Sequence, residues 1–274
     1  PVRLPCPALN PTFDPEGDPM SEDAAPAVGT RSRSARHVAG ARDATADPPY
    51  AADLAILLRL LEQVRPADGA ELASLRWDPQ PPPGEDAGTA VRLEATVTRR
   101  VAGAARATIH QTVHVVDDLD RVRSRSTVAW SVPAALTRDA AAEWEAADFA
   151  SVRWGGRLRE RLAGDPRFAA AARSFDGAIA FDAQDRQAHF RIYRGEIIDV
   201  ARKSLDGATF TVEGADLAWV GLLTAESNDF IRRTSEGLFR VQGSGYQYLR
   251  MIKAVMIMLD HARELARETE ATRA

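Results

Sequence analysis

The stretch from Gln247 to Leu265, QYLRMIKAVMIMLDHAREL, constrains the fold more than any other part of this 274-residue chain. Its periodicity is helical, and its middle, Ala254 to Leu259, is apolar on every side. Three of the chain's four methionines, Met251, Met256 and Met258, fall inside it. A helix in a two-layer unit turns only about half its circumference to the sheet below. The opposite side of this one therefore needs a second apolar partner.

Upstream, the pattern changes to period two. In AVRLEATVTRRV, Val91, Leu93, Ala95 and Val97 alternate with Arg92, Glu94, Thr96 and Thr98, which predicts a strand with one buried face. RATIHQTVHVV and RVRSRSTVAWSV follow after short turns, so the three form an antiparallel meander, with Arg121, Arg123 and Arg125 on its solvated face. An amphipathic helix, AADLAILLRLLEQV, precedes them with Leu54, Leu57, Leu58 and Leu61 at helical spacing, and ELASLRW reads as a short strand between. LTRDAAAEWEAADF predicts a helical connector.

The second half opens with two short helices broken at Gly164-Asp165-Pro166. Strands are expected at AIAFDAQ, QAHFRIYR, EIIDVARK, ATFTVEG and LFRVQGS, and helices at ADLAWVGLLT and SNDFIRRTSE. Asp216 and Ser227 or Asn228 are the expected caps. The boundary between the halves is placed near residue 140, giving segments 1–46, 47–140 and 141–270. The first carries no periodic apolar pattern and is expected to be disordered. Met20 opens a normal-looking start, so residues 1–19 are expected to lie upstream of the natural one.

A net charge of -4 gives no overall bias toward nucleic acid. The one cysteine, Cys6, rules out a disulfide framework and a cysteine-based metal site. No run approaches the ~18–20 apolar residues of a membrane span, and a cytoplasmic location is expected. His110 and His114 invite a metal reading, but four residues along a strand span roughly 13 Å, too far to chelate one ion. His189 and His261 read as surface or satisfied core groups. GSGY at 243–246 reads as a strand-to-helix turn with its cap, and WGG at 154–156 as a helix-packing feature. No nucleophile–base order, H-E-x-x-H or P-loop is present, so no catalytic residue, metal or cofactor is assigned.

The second half resembles the sterol carrier protein type 2 family of lipid-binding domains. FDGAIAFDAQDRQAHFRIYRGEIIDV is similar to the family's opening three strands, ATFTVEGADLAWVGLLT to its fourth strand, turn and helix, and GLFRVQGSGYQYLRMIKAVMIML to its fifth strand and closing helix. The resemblance covers roughly residues 150–268. It implies a five-stranded mixed sheet covered by helices around an apolar tunnel for a fatty acid, fatty acyl-CoA or sterol. Methionine suits such a lining because its flexible thioether adapts to ligands of different shape. The candidate lining residues are Phe190, Ile192, Trp219, Leu222, Phe230, Met251, Val255, Met256 and Leu259.

Residues 47–135 resemble a MaoC-like hotdog domain with its first strand missing or divergent. ADPPYAADLAILLRLL is similar to that family's helix entry and VVDDLDRVRSRSTVAWSVP to its last hairpin. The family's acid–base motif falls on Gly40 and Thr45 here, so the groups needed for proton transfer to an enoyl thioester are missing.

The expectation is an α+β chain: a hotdog-like helix with an antiparallel sheet, then a sterol-carrier-type mixed sheet under helices. It binds a hydrophobic small molecule without catalysis, and the hotdog-like half serves as a homodimer or docking surface. Two alternatives stand beside it. One is a degenerate hydratase or thioesterase drawing on His110 or Glu94. The other is a structural protein with a filled core.

Overall fold

The alternating runs of the first half do become strands, and their register decides what each face can do. The computed structural model describes residues 28–38, 51–79, 90–133 and 148–271. In the first half, β1 (Arg31–Arg33), β2 (His37–Val38), β3 (Glu71–Pro79), β4 (Ala90–Val101), β5 (Arg106–Asp117) and β6 (Val122–Pro133) form one antiparallel sheet. Its order is β1-β4-β5-β6-β3, with β2 also on β4. Helix α1 (Ala51–Leu61) and a 3-10 turn (Glu62–Val64) lie against it. Leu57, Leu60, Leu61 and Val64 bury themselves among Leu93, Ala95, Val97, Ile109, Val113, Val128 and Trp130. Gln111 fixes this contact: it accepts from Trp130 Nε1 at 2.8 Å and donates to Val64 O at 3.1 Å.

Residues 1–46 were expected to lack structure, yet within them β1 pairs with β4, Arg31 opposite Thr96 and Arg33 opposite Glu94. Ser34 completes the seam, its N–H donating to Leu93 O and its Oγ accepting from Leu93 N. The first hotdog strand is thus present. Its few apolar residues hid it, because backbone pairing to an open edge needs no apolar pattern. Residues 1–27 and 39–46, with Met20, Gly40 and Thr45 among them, lie outside the described residues, as does the expected helical connector LTRDAAAEWEAADF apart from its last two residues, Asp148 and Phe149, which form a bend and turn. Arg121 also departs from the strand reading. It sits in the turn before β6, where its N–H and Nε donate to Asp117.

The second half follows its sequence pattern closely. Helices α2 (Val152–Leu162) and α3 (Pro166–Ala172) precede β7 (Asp176–Ala183), β8 (Arg186–Tyr193) and β9 (Glu196–Ala201). Then come β10 (Phe210–Gly214), α4 (Asp216–Leu223), α5 (Phe230–Ser235), β11 (Phe239–Gly243) and α6 (Gly245–Ala271). The sheet order is β11-β10-β7-β8-β9, parallel only between β7 and β10, hence the expected five-stranded mixed sheet. Asp165 caps α3, accepting from Arg167 N at 2.7 Å and Phe168 N at 3.4 Å. Gly155 lets α2 approach the sheet: a Cβ there would stand 2.6 Å from Val200 Cγ1. Gly243 carries φ +92° at the strand-to-helix turn, where a Cβ would also meet Thr209 O at 2.7 Å.

The cap expectations meet different outcomes. The cap residue of α4 is Ala215 and that of α5 is Asp229, neither with a side-chain cap bond of its own, while Asn228, one residue before Asp229, accepts from Phe230 N at 3.4 Å. Asp216 turns instead toward Arg186.

Candidate functional site

The inner faces of β7, β8 and β10 present Ile179 and Phe181, Phe190 and Ile192, and Phe210 and Val212, all fully buried. Helices α4, α5 and α6 close over them. The nine sequence candidates come together here. Phe190, Ile192, Trp219, Leu222, Phe230, Met251, Val255 and Leu259 are all buried in one apolar cluster, and Met256 packs against it half-buried. The all-round apolar run of α6 divides accordingly: Ala254, Val255, Met258 and Leu259 are fully buried, while Met256 stands at the margin.

The cluster has an aromatic spine. Ring centroids lie 4.5 Å apart for Phe149–Trp154, Phe149–Trp219 and Trp219–Phe239, and 5.3 Å for Phe230–Phe239. Trp219 Nε1 donates to Asp182 O at 2.8 Å, which fixes the indole. Sequence reasoning missed Phe149, Trp154, Phe181, Phe210 and Met258. The strand alternation marks Phe181 and Phe210 as inward-facing, while nothing local marks Phe149.

Three half-buried side chains of α6, Tyr248, Ile252 and Met256, fall four residues apart and so form one row along the helix. The Tyr248 ring meets Phe210 at 5.6 Å, and Asn228 Nδ2 donates to Met256 O at 3.2 Å, so the row runs from β10 to the loop before α5. Burial pushes the Tyr248 hydroxyl above its ordinary pKa, leaving it a neutral hydrogen-bonding group. Apolar contact, shape and one phenol are what this margin offers a ligand.

A second constellation lies where the two halves meet. After the register shift between Val97 and Arg99, Arg99 pairs with His110 on the polar face of the first sheet. From there Arg99 donates to Asp148 Oδ2 at 3.2 Å and Asp185 Oδ2 at 2.9 Å. Arg186 donates to Asp148 Oδ1 at 2.5 Å, to Phe149 O at 2.7 Å and to Asp216. Burial raises the Asp148 carboxyl and pushes Asp216 up to about 6; Arg186 opposes this, and Asp185 reinforces it. Burial, then the Arg99 charge, lower His110. The two guanidiniums and three carboxylates are paired across the joint.

Of the two residues named for the enzyme alternative, Glu94 is held by Arg33 at 3.1 Å and Arg92 at 2.9 Å. His114, opposite Glu94 in the register, is lowered by burial. His189 is buried with Nδ1 unpartnered, and His261 bonds Asp165 at 2.8 Å and Glu264 at 3.0 Å. Among the described residues no group of three or more His, Cys, Asp or Glu is placed to hold a metal, and no helix is long and apolar enough to cross a membrane.

The chain is therefore an α+β protein with a hotdog-ordered sheet in one half and a helix-covered mixed sheet in the other. No protein-family model and no curated protein sequence matches it. Solved structures similar to it include members of both groups that the sequence resemblances named. Sterol carrier protein 2 is 14% identical, with 43% of this chain and 98% of that chain covered and a TM-score of 0.38. The MaoC-like dehydratase from Rhodospirillum rubrum is 22% identical over 39% of this chain and 92% of that one, with a TM-score of 0.33. The (R)-hydratase PhaJ1 from Pseudomonas aeruginosa is 12% identical over 39% and 81%, with a TM-score of 0.30.

Proposed function

We propose that this chain binds a hydrophobic small molecule, a fatty acid, fatty acyl-CoA or sterol, in its second half without transforming it. The observation that carries the reading is the row Tyr248, Ile252 and Met256. It brings an otherwise buried apolar cluster to the surface along one side of α6. A ligand entering at this row gains roughly 0.8 kcal/mol for each methylene it buries, so a long acyl chain needs few polar anchors. Met251, Val255, Leu259, Phe230 and Trp219 belong to the buried cluster against which this row packs. Segments 47–140 and 141–270 act as separate units, in the cytoplasm. The first forms a homodimer: β3 is an edge strand whose Leu72 remains 43% exposed, a surface a second copy can cover.

Native mass spectrometry of the purified chain tests the ligand reading, together with displacement of a fluorescent fatty acid. Co-purified lipid or saturable probe uptake is expected. A chain that carries no lipid and takes up no probe refutes it. Sedimentation at micromolar concentration tests the dimer separately.

A further inference from the structure

One end of the second sheet is built from segments 173–176, 193–196, 202–209 and 244–253. Hydrogen bonds tie them together. Ser244 N donates to Thr209 O at 2.9 Å, Arg250 Nη2 to Ser174 Oγ at 3.2 Å, and Arg194 N to Phe175 O at 3.1 Å. This end leaves large apolar groups in water: Tyr246 and Leu249 are each 69% exposed, and Leu205 is fully exposed at the tip of its loop. The same segments carry six cations, Arg173, Arg194, Arg202, Lys203, Arg250 and Lys253, all exposed, against three acids. One of the acids, Asp176, is already held by Arg191. The chain as a whole is net negative, so the cations are concentrated here against the overall balance.

We propose that this end is a docking surface for the anionic face of a lipid bilayer. Aromatic and aliphatic side chains ringed by arginine and lysine fit the interfacial layer of a membrane: the apolar groups enter the acyl boundary while the cations meet anionic headgroups. Tyr246 carries Arg250 over its ring at 5.7 Å, a pairing of the amphipathic kind that interfaces favour. A second copy of the chain is the poorer occupant, since a symmetric contact would set these cations against one another. The surface borders the α6 row proposed for ligand entry, since Tyr248 and Ile252 of that row lie within segment 244–253. The docking itself does not depend on ligand uptake, and the two are measured separately.

The test is flotation of the full chain with vesicles of phosphatidylcholine containing about a third phosphatidylglycerol. Wild type is expected to float with these vesicles, to stay behind with phosphatidylcholine alone, and to be released by high salt. The double substitution Arg250→Glu with Lys253→Glu is expected to weaken vesicle binding at least about tenfold. Leu249→Ser is expected to weaken it severalfold while leaving salt release unchanged. All three positions are exposed, and a thermal melt confirms that the variants fold. Failure of wild type to float overturns the proposal, and so does flotation that ignores these substitutions. A wild-type dimer that Leu249→Ser splits into monomers also overturns it, because the surface then belongs to a second copy. Probe uptake in solution that persists without flotation refutes docking and leaves the ligand reading standing.

Discussion

Arg99 of β4 and Asp148, which precedes α2, stand 3.2 Å apart across the junction of the two halves, and both are largely buried. Asp148 passes the contact on to Arg186, and Arg186 to Asp216 at the start of α4. Three carboxylates and two guanidiniums share this joint. Burial is the largest reason that Asp216 is raised, and the excess of one negative charge in the joint, through Asp185 and Asp148, adds to it.

Arg186→Ala removes the cation between Asp148 and Asp216 and leaves both acids in a poorly solvated place. A loss of about 3–5 kcal/mol in urea unfolding is expected at neutral pH. Part of that loss returns on acidification, when the orphaned carboxyls take up protons.

The joint also sets a pH dependence. Asp216 binds a proton near pH 6 in the folded chain and near pH 4 when unfolded, so the folded state holds more protons between these values. Its contribution is fully present below about pH 4 and is lost as pH rises through about 6, by at most about 3 kcal/mol. Asp165 runs the other way. Its hydrogen bonds from Arg167 and His261 hold its carboxyl below the usual range, so its contribution exists above the unfolded value and disappears in stronger acid. Asp216→Asn keeps an acceptor for Arg186 and should flatten the pH 4–7 part of the stability profile. An unchanged slope in chemical unfolding would show that another group titrates there.

Met256 and Met258 lie two residues apart on α6, one half-buried at the margin and one fully buried. Met256→Glu is expected to fold and to lose fatty-acid probe binding by orders of magnitude, because its carboxylate reaches water only while the row is empty. Met258→Glu is expected to prevent cooperative folding. Paired thermal melts and probe displacement distinguish the two. A Met256→Glu chain that binds as well as wild type would contradict entry at this row.

Gly155→Ala places a methyl 2.6 Å from Val200 Cγ1 and 3.3 Å from the Phe190 ring. The helix must lift or the side chains must move, at a cost of about 1–3 kcal/mol, read as a lower melting temperature.

Periodicity alone set out most of the elements. The alternation in AVRLEATVTRRV, the apolar faces of α1 and α6, and the break at Gly164-Asp165-Pro166 are local signals, and the structure has strands and helices at those places. Eight of the nine lining candidates were legible as buried apolar residues, because burial is what hydrophobic periodicity encodes, and the ninth, Met256, is half-buried at the edge of the same cluster. β1 was not legible: its three residues, Arg31, Ser32 and Arg33, are held by backbone hydrogen bonds to β4, which side-chain pattern does not report.

Arg99 shows the same division most sharply. Uninterrupted alternation from Val97 would point Arg99 to the buried face that Val97 occupies. The register shift after Val97 instead turns it to the polar face beside His110, within reach of Asp148 and Asp185, and places Arg100 opposite Ile109 on the buried face in its stead. Asp216 likewise had the sequence of a helix cap and became an ion-pair partner, because Arg186 approached it from a distant strand. The sequence by itself determined which segments are strands and helices and which faces are apolar, since those follow from neighbours a few residues apart. The tertiary structure decided the first strand, the joint between the halves and which side of α6 reaches the surface, since each depends on groups that meet only after the chain has folded.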